Sequence, residues 1–159
     1  MIRRAVPEDV SAITDMIYEL AAYQNARDEC NVTTDQIRDA LFGPLPSTFA
    51  HVAVDDGGRV VGIAVWFRNF STWDGTHGIY LEDLFVNPAD RGSGHGKALL
   101  ATLARECVEN GYTRLSWSVI KWNTASIAFY ESLGAYPQDE WITYRLTGDS
   151  LGLLASEVS

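Results

Sequence analysis

Two acids, Glu82 and Asp83, stand in the middle of an otherwise apolar run, Tyr80-Leu81-Glu82-Asp83-Leu84-Phe85-Val86. Burying a carboxylate is costly unless it is paired or put to use. The pair therefore reads either as a rim or structural pairing, or as acid–base machinery. After Asn87-Pro88 comes Arg91-Gly92-Ser93-Gly94-His95-Gly96-Lys97, which opens a helical pattern. A glycine-rich turn at a helix N-terminus offers backbone N–H groups to an anion. Phosphate binding and proton transfer are thus expected within one short stretch. A third group lies in Trp122-Asn123-Thr124-Ala125-Ser126-Ile127-Ala128-Phe129-Tyr130. In a helix, Asn123, Ser126 and Tyr130 fall within about 60° of one another, a polar stripe roughly 10 Å long. Phe129 and Leu133 fall on another flank and are expected to pack into the core. A tyrosine at such a place also suits a core position with its hydroxyl satisfied.

The elements that must position these groups follow from periodicity. Residues 2–5 suit a short strand. Pro7-Glu8-Asp9 suits a first helical turn, and Val10, Ile13, Ile17, Leu20 and Ala21 continue with helical spacing. Thr33 to Gln36 reads as a capping box for a second short helix that Gly43-Pro44 stops. Residues 49–54 and 60–67 are β-rich, with Asp55-Asp56-Gly57-Gly58 as a hairpin turn. A polar loop is expected over 69–78. Leu99, Leu100, Leu103, Ala104, Cys107 and Val108 mark a helix ended by Asn110-Gly111. Residues 114–119 alternate as a strand, 123–133 form a helix closed by Gly134, and 142–146 supply late strand material. The last dozen residues are expected to fray. The order β-α-α-β-β-β-α-β-α-β predicts a single mixed α/β domain over 1–159.

Composition narrows the function classes. The net charge is −9, which disfavours a phosphate-backbone partner and suits encounter with cationic small molecules. No apolar run reaches membrane length, and Glu8-Asp9 follow the N-terminus too soon for a secretory leader. A cytoplasmic protein is expected. Cys30 and Cys107 make no disulfide framework, and Cys107 reads as a buried thiol. His51, His77 and His95 lack metal-ligand spacing, so no metal is expected.

The glycine loop discriminates among nucleotide motifs. A phosphate loop of the Gly-x-x-x-x-Gly-Lys-Ser/Thr type fails at Arg91 and Ala98. A dinucleotide fingerprint fails on spacing, since Gly92-Ser93-Gly94 is followed by Gly96. Arg-x-x-Gly-x-Gly fits, at Arg91, Gly94 and Gly96. After a strand ending Val86-Asn87-Pro88, this resembles the pyrophosphate loop of the GCN5-related N-acetyltransferases (GNAT). The Asn123, Ser126, Phe129-Tyr130 and Gly134-Ala135 pattern resembles the same family's last common segment. The resemblance implies a mixed, mostly antiparallel sheet, splayed between its two central strands and flanked by helices. It implies acetyl-CoA as co-substrate, held by Leu84, Phe85 and Val86 on the strand and by Arg91, Gly92, Ser93, Gly94, His95, Gly96 and Lys97 on the loop. Asn123, Ser126 and Tyr130 would complete the cofactor side, and a backbone N–H around residues 84–86 would face the thioester oxygen.

Tyr80 to Val86 is similar to a segment of the diamine (spermidine/spermine) and thialysine N-acetyltransferases. Glu19 to Tyr23, Trp73-Asp74-Gly75, Trp122-Asn123 and Trp141 agree with it. Substrate contacts are then implied at Tyr23, Glu82, Ser116, Trp117, Ser118 and Trp141, and the resemblance implies a homodimer. A Lys-like amine with pKa near 10.4 is neutral in only about one part in 10³ to 10⁴ at pH 7. Glu82 is the expected base for it, directly or through water, while Asp83 binds a second ammonium or serves the structure. Tyr130, near pKa 10, is the expected acid for a thiolate whose conjugate acid lies near 8.5. Gln24 departs from the pattern, which has an acid there; Asp28 and Glu29 are the nearby substitutes. The open alternatives are a lysine-like amino acid, a peptide amine, or a non-catalytic acyl-CoA-binding domain.

Overall fold

β-branched and aromatic runs build a five-stranded sheet in the computed structural model, which describes residues 1–158. Its strands are β1 (Ile2–Arg4), β2 (Thr48–Val54), β3 (Val60–Ser71), β4 (Thr76–Val86) and β5 (Leu115–Trp117), in the spatial order β1-β2-β3-β4-β5. Neighbours are antiparallel through β4, and β5 runs parallel to β4. The parallel step needs a crossover, which α3 (His95–Glu109) provides. The helices α1 (Val10–Tyr23) and α2 (Thr34–Phe42) separate β1 from β2. The chain forms two compact units, Met1–Ile120 and a second part from Lys121 onward, and the sheet with these three helices lies in the first part.

Ile13, Met16 and Leu41 of α1 and α2 pack on Val52, Val54, Ile63, Val65 and Phe85 of the sheet. Leu99, Leu100, Leu103 and Cys107 are the buried stripe of α3. The expected capping box is present: Gln36 N–H donates to Thr33 Oγ1 at 3.1 Å, and Thr33 N–H donates to Gln36 Oε1 at 3.0 Å. The buried Asp9 accepts from Arg3 at 2.6 Å and from Val6 N–H at 2.8 Å, which ties the entry of α1 to β1.

Five expectations need correction. The polar segment 69–78 is mostly strand, because Asn69 pairs with Gly78 and Ser71 with Thr76 in a β3–β4 hairpin longer than its polarity suggested. The 114–119 strand pairs only over Leu115–Trp117. In the second part, α4 (Thr124–Ser132) forms as expected, but Leu133 is 40% exposed rather than packed. No strand forms over 142–146 among the described residues, and the tail expected to fray forms α5 (Gly148–Ala155). Alternating polarity at 142–146 supplies only the propensity; a strand also needs an edge to pair with.

Candidate active site

The acids lie at an irregularity in β4. Asp83 pairs with Val65 of β3, yet Leu81 pairs with Trp66, so Glu82 is the extra residue of a β-bulge. Unbroken alternation along a strand would put Asp83 on one face with Ile79, Leu81 and Phe85, and Glu82 with Tyr80, Leu84 and Val86. The bulge shifts the phase. Cross-strand partners share a face, and Tyr80, Asp83 and Phe85 pair with Phe67, Val65 and Ile63. Asp83 therefore joins Tyr80 and Phe85 on the side covered by α1 and α2, while Ile79, Leu81, Leu84 and Val86 share the other side. Glu82 is exposed at the bulge.

The parallel β4–β5 pairing ends with Leu81 opposite Trp117, so the two strands part at the bulge. Asn87 N–H donates to Val61 of β3 at 2.9 Å. By alternation, the main-chain groups of Leu84 and Val86 point away from β3, on the side where β5 has ended. The splay expected between two central strands thus falls between β4 and the edge strand β5, and it exposes polar backbone that a ligand can pair with. Beyond the splay, Tyr80 Oη and Ser118 Oγ share a hydrogen bond at 2.7 Å, so Ser116, Trp117 and Ser118 line up beside Tyr80.

The loop that follows has the backbone geometry of an anion cradle. Gly92 and Gly94 have φ of +84° and +82°, and a Cβ on either would meet no atom within 4 Å. Only glycine takes that backbone without strain, and the space before it is open. Ala98 N–H makes the first bond of α3, to Gly94 O at 2.9 Å. The N–H groups of His95, Gly96 and Lys97 precede that bond and are the donors a helix start leaves for an anion. These residues suit a pyrophosphate. Arg91 takes an unexpected course: its Nε donates to Val86 O at 3.0 Å, and its guanidinium lies 5.2 Å from the Tyr23 ring centre and 5.4 Å from that of Phe85. Its side chain thus braces the loop against β4 and the end of α1.

A cavity of about 220 Å³ opens where α1 ends, with Asp83 in its wall. Ile17, Leu20, Ala21 and Ala26 make the apolar lining. Gln24, Glu29 and Cys30 complete it. Burial and the neighbouring Glu82 charge push the Asp83 carboxyl up to about 6. Sequence reasoning flagged Glu29 only as a neighbour of Gln24, and it named Cys30 only as a thiol outside any disulfide framework. The turn that brings both against β4 is a tertiary contact with no local pattern to announce it.

In the second part, Asn123 caps α4, its Oδ1 accepting Ser126 N–H at 3.3 Å. Asn123, Ser126 and Tyr130 are all half-buried, as one helical stripe requires. Burial pushes the Tyr130 hydroxyl above its ordinary pKa, which keeps it protonated through the neutral range. Trp141 lies beyond α4 and is 68% exposed.

A bulged inner strand, a splay beside it and a glycine-rich turn at the next helix together form an acyltransferase-like scaffold. Residues 14–135 match the acetyltransferase (GNAT) family, and the chain belongs to that family. It is an N-acetyltransferase, of a family that uses acetyl-CoA. The thialysine N-epsilon-acetyltransferase of Bos taurus is 32% identical over 99% of this chain and 98% of its own length. The spermidine/spermine N(1)-acetyltransferase-like protein 1 of Homo sapiens is 32% identical over 94% of this chain and 23% of its own length. Among solved structures, an integron cassette protein from the mobile metagenome of V. cholerae superposes with a TM-score of 0.80 at 26% identity, covering 98% of this chain and 96% of that one.

Proposed function

We propose that this protein transfers acetyl directly from acetyl-CoA to a primary amine of a small cationic substrate of polyamine or diamine type. The observation that carries the reading is the Glu82 bulge, which opens the sheet where the strand feeds the Gly92–Gly94 cradle. Leu84, Phe85 and Val86 and the loop from Arg91 to Lys97 hold the cofactor, and Asn123, Ser126 and Tyr130 serve the same ligand. Bound acetyl-CoA supplies an acetyl group on a thiol leaving group. Glu82 takes the proton that the ammonium must lose, directly or through a water. An outward N–H of Leu84 or Val86 donates to the carbonyl oxygen as it gains charge. Tyr130 gives its proton to the departing sulfur. Tyr23, Asp83, Ser116, Trp117, Ser118 and Trp141 contact the amine.

The family match runs from 14 to 135, through both parts of the chain, which supports reading 1–159 as one catalytic domain. A homodimer is proposed as well, supported by the exposure of Ile142 (79%), Tyr144 (90%) and Leu153 (70%), large side chains that a second copy would cover. Light scattering that returns a monomer at micromolar concentration rejects it. The two free thiols suit a reducing compartment such as the cytoplasm. The function is tested by screening CoA release over spermidine, spermine, short diamines, lysine analogues and peptides. Turnover of small amines is expected; CoA binding without turnover of any amine indicates a binding domain instead.

A further inference from the structure

The cavity at the end of α1 distinguishes two kinds of small amine. A polyamine carries only cations besides its reacting end. A lysine-like amino acid carries an α-carboxylate as well as an α-ammonium. The charged side chains lining the cavity are Asp83 and Glu29, both carboxylates. Neither has a hydrogen-bond or ion-pair partner for its side chain among the described residues. The basic residues of neighbouring elements do not line the cavity. Arg27 stacks 4.1 Å from the Tyr18 ring centre and reaches Cys30 O at 3.5 Å, and Arg91 is braced on Val86, Tyr23 and Phe85. The wall of Ile17, Leu20 and Ala21 suits methylene groups. At about 220 Å³ the cavity is smaller than the roughly 300–1,000 Å³ of drug-sized ligand sites, which fits a short chain.

We propose that this cavity takes the distal ammonium of a short, carboxylate-free diamine, with Asp83 and Glu29 as its counter-charges, and that it rejects the α-carboxylate of a lysine-like amino acid. The inference rests on the acetyl-transfer reading for the reacting end only. Glu29 supplies the charge that Gln24 lacks. Asp28, its neighbour in sequence, is not among the lining residues. Rejection follows from like charge: an α-carboxylate meets two acids and no cation, a repulsive element that specificity of this kind needs.

Putrescine and ornithine are a matched pair that differ only in the α-carboxylate. Steady-state kinetics on both, at saturating acetyl-CoA, are combined with calorimetric titration of each into the CoA-loaded protein. The expected results are a kcat/KM at least about tenfold higher for putrescine, and a putrescine KM raised roughly three- to tenfold in Glu29→Gln. Asp28→Asn should leave KM unchanged, and Glu29→Lys should shift the preference toward ornithine. Glu29 is exposed on a short turn, so these variants should keep the wild-type melting temperature. Ornithine turned over as well as putrescine, or an unchanged putrescine KM in Glu29→Gln, overturns the inference. If no amine turns over, the acetyl-transfer reading fails on its own and calorimetry decides the cavity. Putrescine binding that weakens in Glu29→Gln upholds it, and absent or unaltered binding overturns it.

Discussion

Leu81 and Leu84, three residues apart in an extended strand, share one face of β4 because Glu82 is the extra residue of a bulge. That single insertion separates the two acids. Asp83 turns to the face of α1 and its cavity, while Glu82 stays at the point where β4 and β5 part. On the proposed reading, one carboxylate holds charge and the other moves a proton.

Glu82→Gln should lower kcat at pH 7 by roughly 10²-fold, the low end for loss of a general base. Its rate should recover as pH rises toward the amine's own pKa near 10.4, so the pH–rate profile should move upward. A profile superimposable on the wild type rejects Glu82 as the base.

Tyr130→Phe should reduce kcat by roughly 10²- to 10³-fold with little change in acetyl-CoA KM. Burial holds the Tyr130 hydroxyl above its ordinary pKa, so the alkaline limb of the wild-type profile, where this acid loses its proton, should lie well above neutrality. Near wild-type kcat in the variant assigns Tyr130 to packing, beside Phe129 at 5.6 Å between ring centres.

Gly94→Ala places a side chain at φ +82°, where an L-residue is strained by about 1–2 kcal/mol. A fall of about 2–8 °C in melting temperature is expected for that cost in a chain of this size. Acetyl-CoA KM should rise well beyond what this loss of stability explains, because the cradle must change shape. Amine KM should not follow. An unaltered acetyl-CoA KM argues against the cradle.

His51 accepts Trp66 Nε1–H at 3.1 Å, and burial, then the Arg4 charge, lower its pKa from 6.5 to about 4. Below pH 6.5 the unfolded chain takes up a proton that the folded chain refuses, so stability falls with pH across that window. The loss accumulates to roughly 3 kcal/mol by pH 4. His51→Gln keeps an acceptor for Trp66 without titrating, and its stability should be flatter between pH 6.5 and 4.5. Parallel urea midpoints for the two proteins contradict this.

Much of the candidate site's local geometry was legible in the sequence because its devices are local. The glycine spacing at 92, 94 and 96 marks the cradle, and Asn123 with Ser126 marks the cap of α4. Val86-Asn87-Pro88 fixes where the strand ends. The faces of Glu82 and Asp83 were not legible, because the bulge depends on which β3 residue each one meets. The cavity depends likewise on a turn folding back on β4. The 142–146 segment has the alternation of a strand, but alternation carries no information about a free edge.

The most direct test is mass spectrometry of a purified reaction with acetyl-CoA and putrescine, sampled in a single turnover. Direct transfer predicts putrescine heavier by one acetyl group, stoichiometric free CoA and no acetylated protein at any time point. CoA release that precedes product, with acetyl carried on Cys30, Cys107 or another side chain, would contradict the account.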